Sequence, residues 1–254
     1  MFINIDCALK LFNRFLLYAV GYCNLSNEKQ LEMNSYKMNT QMKSLKIGLA
    51  TVALALCTVA VQAQEKQHSD PNVRAGEKAL LDGDFKTAAT QFEKALPTSG
   101  SDPDVVYLLG YSQFQNGEYK KAIASFNKVI SLDAKNVHAY YYKAKANNNI
   151  AVDRKLKLKE TDREALLKSA VADYTKAIAI NANDAKLYQN RAIAYRDLGI
   201  LTGTSSSSNY NKATATDAYN KAVADYEKVL SYDASRKDIQ TEVKKAKVYR
   251  DNLK

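Results

Sequence analysis

The chain has 254 residues, of which 46% are hydrophobic and 25% are charged, and its formal net charge is +10. This balance indicates a soluble, globular protein. With no Trp, three Pro and nine Gly, the composition argues against a sheet sandwich rich in turns and favours helices.

The segment 42–63 has the parts of a secretory signal peptide. Lys43 and Lys46 precede an apolar run over 47–61, and Ala63 follows it. A basic start, a short apolar stretch and a small residue at the end are typical of such peptides. The run is too short for a stable membrane anchor. We expect cleavage after Ala63, which leaves a short leader over 64–68.

Residues 1–41 precede this segment and show no pattern of a folded domain. Since a signal peptide normally starts a chain, we expect 1–41 to be a spurious N-terminal extension, with Met42 or Met38 as the true initiator. The weaker alternative is a membrane segment around 7–23, where two basic residues interrupt the apolar run.

The three cysteines Cys7, Cys23 and Cys57 all lie before the expected cleavage point. The exported chain would therefore have no disulfide and no cysteine metal site, and we expect no cofactor. Lipidation of Cys57 is the alternative, although Leu56 stands where a small residue is expected. These features predict a periplasmic protein, or less favourably an outer-membrane lipoprotein.

After cleavage the chain keeps 31 basic and 24 acidic residues, a formal charge of +7. Lysines interspersed with acidic residues are typical of a solvated surface. An acidic protein partner or an anionic membrane surface stays open as an alternative. The basic run 155–159 is also interpreted as a solvated surface or as a contact with an acidic partner or a membrane surface. We expect no nucleic-acid partner.

A unit of 34 residues repeats along the rest of the chain. Its second-helix pattern of Gly, aromatic and Ala positions occurs as Gly83, Phe85, Ala88, Phe92 and Ala95, and again as Gly117, Tyr119, Ala122, Phe126 and Val129. The pattern returns as Ala170, Tyr174 and Ala177 and as Ala222, Tyr226 and Val229. Small residues mark the preceding helices at Gly110, Ala144 and Ala192, which we expect to oppose Ala122, Ala170 and Ala222.

This period and these positions resemble the tetratricopeptide repeat over residues 69–236, although the Trp and the late Pro of that family are absent. The resemblance implies an all-α, right-handed superhelical solenoid of four helix hairpins closed by a C-terminal capping helix. The expected boundaries are 69–102, 103–136, 137–184, 185–236 and, for the cap, 237–254.

The third and fourth hairpins carry insertions at their turns. In the third, the capping-box pattern from Thr161 to Glu164 predicts a helix start, and we expect longer helices that project as a spur. In the fourth, the stretch from Thr202 through Ser208 predicts a polar, flexible loop.

In this family the concave face is lined by defined positions of each first helix. Those positions are occupied here by Tyr107, Tyr111, Phe114, His138, Tyr141, Lys145, Lys186, Gln189 and Arg196. Of these we expect seven to bind a peptide: Tyr107, Tyr111, Phe114, Tyr141, Lys145, Lys186 and Arg196. An aromatic patch beside a basic one would suit a peptide with aromatic and acidic residues. The alternative is that the aromatic residues only pack within the array.

The resemblance therefore implies a non-enzymatic scaffold of the cell envelope that binds a protein or peptide. The two histidines, His68 and His138, are far apart in sequence, and no phosphate-binding loop or metal-ligand spacing is present. Alternative functions are a lipid-anchored envelope assembly factor and a periplasmic chaperone-like protein.

Overall fold

The computed structural model describes residues 68–253. The expected N-terminal extension and signal peptide lie outside the described residues. Within 68–253 the chain forms nine α-helices, which are α1 (Pro71–Leu81), α2 (Phe85–Ser99), α3 (Pro103–Gln115), α4 (Tyr119–Leu132), α5 (Val137–Val152), α6 (Glu160–Ile180), α7 (Ala185–Gly203), α8 (Lys212–Tyr232) and α9 (Lys237–Asp251).

The helix starts follow from local chemistry. Asp70 accepts a hydrogen bond from the backbone N–H of Asn72 at 2.8 Å, directly before Pro71 at the first position of α1. Asp102 and Pro103 repeat this arrangement at α3. An acidic or amide cap satisfies a free N–H of the first turn, and Pro there loses no hydrogen bond.

The helices stack in the order of the sequence. Each helix packs on the one before it and the one after it, and the first helices α3, α5 and α7 of successive hairpins also touch. Such neighbour-to-neighbour packing defines a helical solenoid. The predicted all-α solenoid is confirmed. Between residues 68 and 253, every helix falls short of the length or the apolar character that crossing a bilayer requires.

The core of each hairpin places an aromatic ring against a small residue. A Cβ atom on Gly76 would lie 2.8 Å from the ring of Phe92, and one on Gly110 would lie 2.9 Å from that of Phe126. Both rings are fully buried. The nearest side chain to Gly110 is therefore that of Phe126, because the small residue makes room for the ring that closes the hairpin.

The predicted capping box of the third hairpin does not form. Helix α6 begins at Glu160, one residue before Thr161, and its N-cap Lys159 makes no side-chain capping bond. The carboxylate of Glu160 instead accepts a hydrogen bond from the Ser207 hydroxyl at 2.6 Å. A contact with the fourth hairpin thus replaces the local cap.

The predicted loop of the fourth hairpin begins later than expected. Helix α7 continues through Gly203, and the fully buried Thr202 donates from its hydroxyl to the carbonyl of Leu198 at 2.8 Å. The connecting loop is therefore 204–211. Its end is fixed where the Asn211 N–H donates to the carbonyl of Thr202 at 2.7 Å.

The two insertions pack against each other. Leu167 of α6, Leu198 of α7 and Ala218 of α8 bury their side chains together with Ala151 at the end of α5. We use the term joint extension for the outer ends of helices α5, α6, α7 and α8 together with the loops 153–159 and 204–211. The third insertion, which was expected to project as a spur, therefore packs on the insertion of the fourth hairpin.

Candidate functional site

One face of the solenoid is built from the first helices of successive hairpins. The Asn148 side-chain amide of α5 donates to Asp197 of α7 at 3.1 Å. Arg196 of α7 in turn donates to Glu242 of α9 at 3.1 Å. These bonds hold α5, α7 and α9 side by side, so that residues at repeated positions share one surface.

An aromatic cluster lies on this face between α3 and α5. Tyr142 is at its centre, with ring centroids 5.2 Å from Tyr111, 5.3 Å from Phe114 and 5.0 Å from Tyr141. Tyr107 adds a ring 6.3 Å from Tyr142. We use the term aromatic cluster for these five residues. Most of the pairs are edge-to-face, which is the favourable geometry for aromatic rings.

Burial raises the pKa values of three tyrosines of the cluster. It raises the pKa of Tyr142 to about 12 and also raises the pKa values of Tyr107 and Tyr141. Desolvation disfavours the charged phenolate. A tyrosine is neutral at pH 7 in any case, and burial keeps these three phenols neutral at still higher pH.

A cation lies at the edge of the cluster. The Lys145 ammonium is 5.8 Å from the ring centroids of both Phe114 and Tyr141. None of the ion pairs found among residues 68–253 involves Lys145. A cation over aromatic faces is attracted by the ring quadrupole and keeps its charge available for an anion.

The structure brings five of the seven predicted residues together, namely Tyr107, Tyr111, Phe114, Tyr141 and Lys145. Phe114 is buried, so it supports the cluster from below. Tyr107, Tyr111 and Tyr141 are only partly buried and keep accessible surface. The prediction of aromatic residues next to a cation thus has a structural counterpart in α3 and α5.

The basic part of the predicted site is divided. The Arg196 guanidinium pairs with Asp197 at 2.9 Å and with Glu242 at 3.1 Å. Burial acts to lower the pKa of Arg196, but Asp197 and Glu242 outweigh it and hold that pKa above its usual range. The positive charge of Arg196 is thus balanced by two carboxylates within the array. Lys186, in contrast, is exposed in the first turn of α7.

Helix α9 closes the end of this face. A cavity of about 430 Å³ lies between α7 and α9 and is lined by Gln189, Ile193 and Arg196 on one side and by Asp238 and Glu242 on the other. The Arg236 guanidinium donates to Gln189 at 3.4 Å. Two predicted groove positions, 189 and 196, are therefore occupied by contacts with the cap.

Sequence reasoning missed Tyr142 and two ion pairs. Lys143 pairs with Asp173 at 3.1 Å, and Arg191 pairs with Asp225 at 2.7 Å. The basic residue of each pair directly precedes the small residue of its first helix, which is Ala144 or Ala192. The acidic residue of each pair lies three residues after the repeated Ala of its second helix, which is Ala170 or Ala222. The equal spacing in both hairpins is the signal that could have found them.

Comparison with known proteins agrees with this architecture. The sequence model of a family described as anaphase-promoting complex, cyclosome, subunit 3 matches residues 82–150. The crystal structure of the MamA protein is 22% identical, covers 72% of this chain and 84% of its own, and superposes with a TM-score of 0.54.

Two further structures are similar at lower scores. A thermophilic TPR protein of Thermus thermophilus is 19% identical over 70% of this chain and 97% of its own, with a TM-score of 0.42. The C-terminal part of a TPR repeat-containing protein from Cytophaga hutchinsonii is 25% identical over 78% and 69%, with a TM-score of 0.47.

The stacked hairpins, their small-against-aromatic cores and the likeness to MamA define the fold of this protein. Residues 68–253 form a solenoid of the tetratricopeptide-repeat type, which is the fold that the sequence predicts.

Proposed function

We propose that this chain is a non-enzymatic scaffold that binds a peptide or protein partner at the aromatic cluster. The observation that carries the proposal is the set of partly exposed tyrosines on α3 and α5 with Lys145 at their edge. Tyrosines held by their neighbours offer contact area at little entropic cost, and such residues dominate protein interfaces.

The geometry favours a particular ligand chemistry. An extended peptide would lay an apolar or aromatic side chain on Tyr111 and Tyr141 and place a carboxylate near Lys145. Lys186 would attract further acidic residues along α7. Because Arg196 is already paired with Glu242, we do not assign it a contact with the partner.

A displayed library of short random peptides tests this function. We expect selection for peptides that carry an acidic residue near an aromatic one. Tyr111→Ala with Tyr141→Ala should weaken the selected peptides by at least about 10-fold, and Lys145→Gln should weaken chiefly the acidic ones. Tyr249→Ala and Lys120→Gln, on exposed positions of α9 and α4, are the matched controls.

Either of two results would overturn the proposal. One is a library from which no peptide is enriched by the folded protein. The other is a folded Tyr111→Ala and Tyr141→Ala variant that binds the selected peptides as tightly as the original chain does. Circular dichroism and thermal unfolding establish that each variant is folded.

We further propose that the scaffold works in the cell envelope after export. The basic and apolar pattern of 42–63 supports this location. Intact mass and N-terminal sequencing of the protein from its own cells test it. A chain starting at Gln64 supports a periplasmic scaffold, whereas an acylated Cys57 supports the alternative of a lipid-anchored assembly factor. A retained residue 1 would refute both.

A further inference from the structure

The joint extension displays a fixed basic loop. The Arg163 guanidinium donates to the backbone carbonyls of Ala151, Asp153 and Leu156. These three hydrogen bonds tie the end of α5 and the first half of the loop 153–159 to helix α6.

Four cations project from this loop and its end. Arg154, Lys155, Lys157 and Lys159 are all exposed. None of them takes part in the ion pairs found between residues 68 and 253. Their charges are therefore not neutralised by the described part of the chain, in contrast to Arg196.

The neighbouring acids are mostly engaged. Asp153 accepts the Lys155 backbone N–H at 2.8 Å. The carboxylate of Glu160 accepts the hydroxyls of Ser207 and Ser208 at 2.6 and 2.7 Å. These donors are neutral, so both carboxylates keep their charge, as does the exposed Asp162. The loop 153–159 itself still carries four cations and one carboxylate, a formal charge of +3.

Apolar side chains accompany these cations. Val152, Leu156 and Ile200 are 43%, 37% and 38% exposed. Val152, Ile200 and Arg154 line one cavity of about 330 Å³ between the two hairpins, which places them at the same end of the molecule. Exposed apolar residues among cations are typical of surfaces that bind at the membrane interface.

We propose that the joint extension docks on a bilayer surface rich in anionic phospholipid. The four cations meet the headgroup phosphates, and Val152, Leu156 and Ile200 enter the interfacial layer. This contact deepens the envelope location proposed above and is independent of what the aromatic cluster binds. A docked extension would leave the aromatic cluster of α3 and α5 available to a partner.

Because the chain has no Trp, one introduced Trp reports the contact. Leu156→Trp places the probe in the basic loop, and Val248→Trp places the control on exposed α9. The full chain is titrated with vesicles of phosphatidylcholine alone and with phosphatidylglycerol added. We expect a blue shift of Trp emission and quenching by brominated lipid for Leu156→Trp alone, and only on anionic vesicles.

Charge removal gives the second measurement. Changing Arg154, Lys155, Lys157 and Lys159 to Gln in the Leu156→Trp chain should raise the lipid concentration needed for half of that fluorescence response on the order of 1000-fold. Lys237, Lys244, Lys245 and Lys247 changed to Gln on α9 form the matched control and should leave the response unchanged. The wild-type loop response should also fall steeply with added salt.

Three results would overturn the proposal. The first is a Leu156→Trp emission that anionic vesicles leave unchanged. The second is an emission shift of equal size on phosphatidylcholine vesicles and on anionic vesicles. The third is an equal loss of vesicle affinity in the loop variant and in the α9 control variant. Capture of an acidic protein by the loop in place of vesicles would assign the surface to that other class of partner. Peptide binding at Tyr111 and Tyr141 is measured separately, so the two proposals fail independently.

Discussion

The second hairpin and the fourth hairpin solve the same packing problem in different ways. In α3–α4, Leu109 and Ser125 occupy the two positions that Arg191 and Asp225 occupy in α7–α8. In the second hairpin, Leu109 packs into the apolar core of the first hairpin and the Ser125 hydroxyl donates to Gln113 at 2.7 Å. The fourth hairpin joins its two positions by a partly buried, bidentate ion pair. The same two positions of the repeat therefore carry different chemistry in two hairpins of the same fold.

The same two hairpins differ in length. The loop after α3 is a short turn at Gly117, whose φ of 79° suits glycine, whereas α7 and α8 extend well beyond that point. The extra turns do not disturb the stack because both helices of the hairpin lengthen together. They also gain a partner in the equally extended third hairpin.

Breaking the Arg191–Asp225 ion pair of the fourth hairpin should have the largest effect on stability. Asp225→Ala leaves the Arg191 guanidinium without its carboxylate, and we expect the free energy of unfolding to fall by about 3 kcal/mol. Arg191→Leu with Asp225→Ser installs the residues of the second hairpin and should cost only about 1 kcal/mol. Urea unfolding measures both.

Asp217→Ala is the control for this change, since its pair with Lys221 is exposed on both sides and exposed pairs contribute under about 1 kcal/mol. An Asp225→Ala variant as stable as the Asp217→Ala variant would show that the Arg191–Asp225 pair does not hold α7 and α8 together.

Overfilling the second hairpin should have the next largest effect. Gly110→Leu adds a side chain where even a Cβ would lie 2.9 Å from the Phe126 ring, so we expect a loss of about 2 to 3 kcal/mol. Ala124→Leu on the exposed face of α4 should stay within about 0.5 kcal/mol. Thermal unfolding distinguishes them, and equal melting temperatures would contradict the tight contact.

Acidification should have the smallest of these effects on stability, and it should act at the joint extension. Hydrogen bonds from Ser207 and then Ser208 hold the pKa of Glu160 at about 2, below its usual 4.5. For a carboxyl whose pKa is lowered on folding, the stabilisation is present above pH 4.5 and is lost as the pH falls towards 2. The Ser208 amide resonance should follow that titration.

Glu160→Gln is the matched variant for the pH experiment. It should abolish the titration step of the Ser208 resonance while leaving the second hairpin, which lacks this contact, unchanged. A midpoint near pH 4.5 in the original chain would mean that the two insertions are not joined through Glu160 in solution.

The helices, their pairing and part of the candidate site could be predicted from sequence because they depend on local spacing. Gly110 and Phe126 lie 16 positions apart in a repeating unit, and Tyr111 and Tyr141 occupy equivalent faces of first helices. Tyr142 was missed because its neighbour Tyr141 fitted the family pattern, although Tyr142 makes more of the ring contacts.

The repeat, the small and aromatic core positions and the helical stack follow from the sequence alone, because helical periodicity decides which side of each helix is buried. The pairing of Arg196 with Glu242, 46 residues away, and the hydrogen bond from Ser207 to Glu160, 47 residues away, became apparent only in the folded structure. Such contacts depend on how successive hairpins are rotated against one another, which no local spacing encodes.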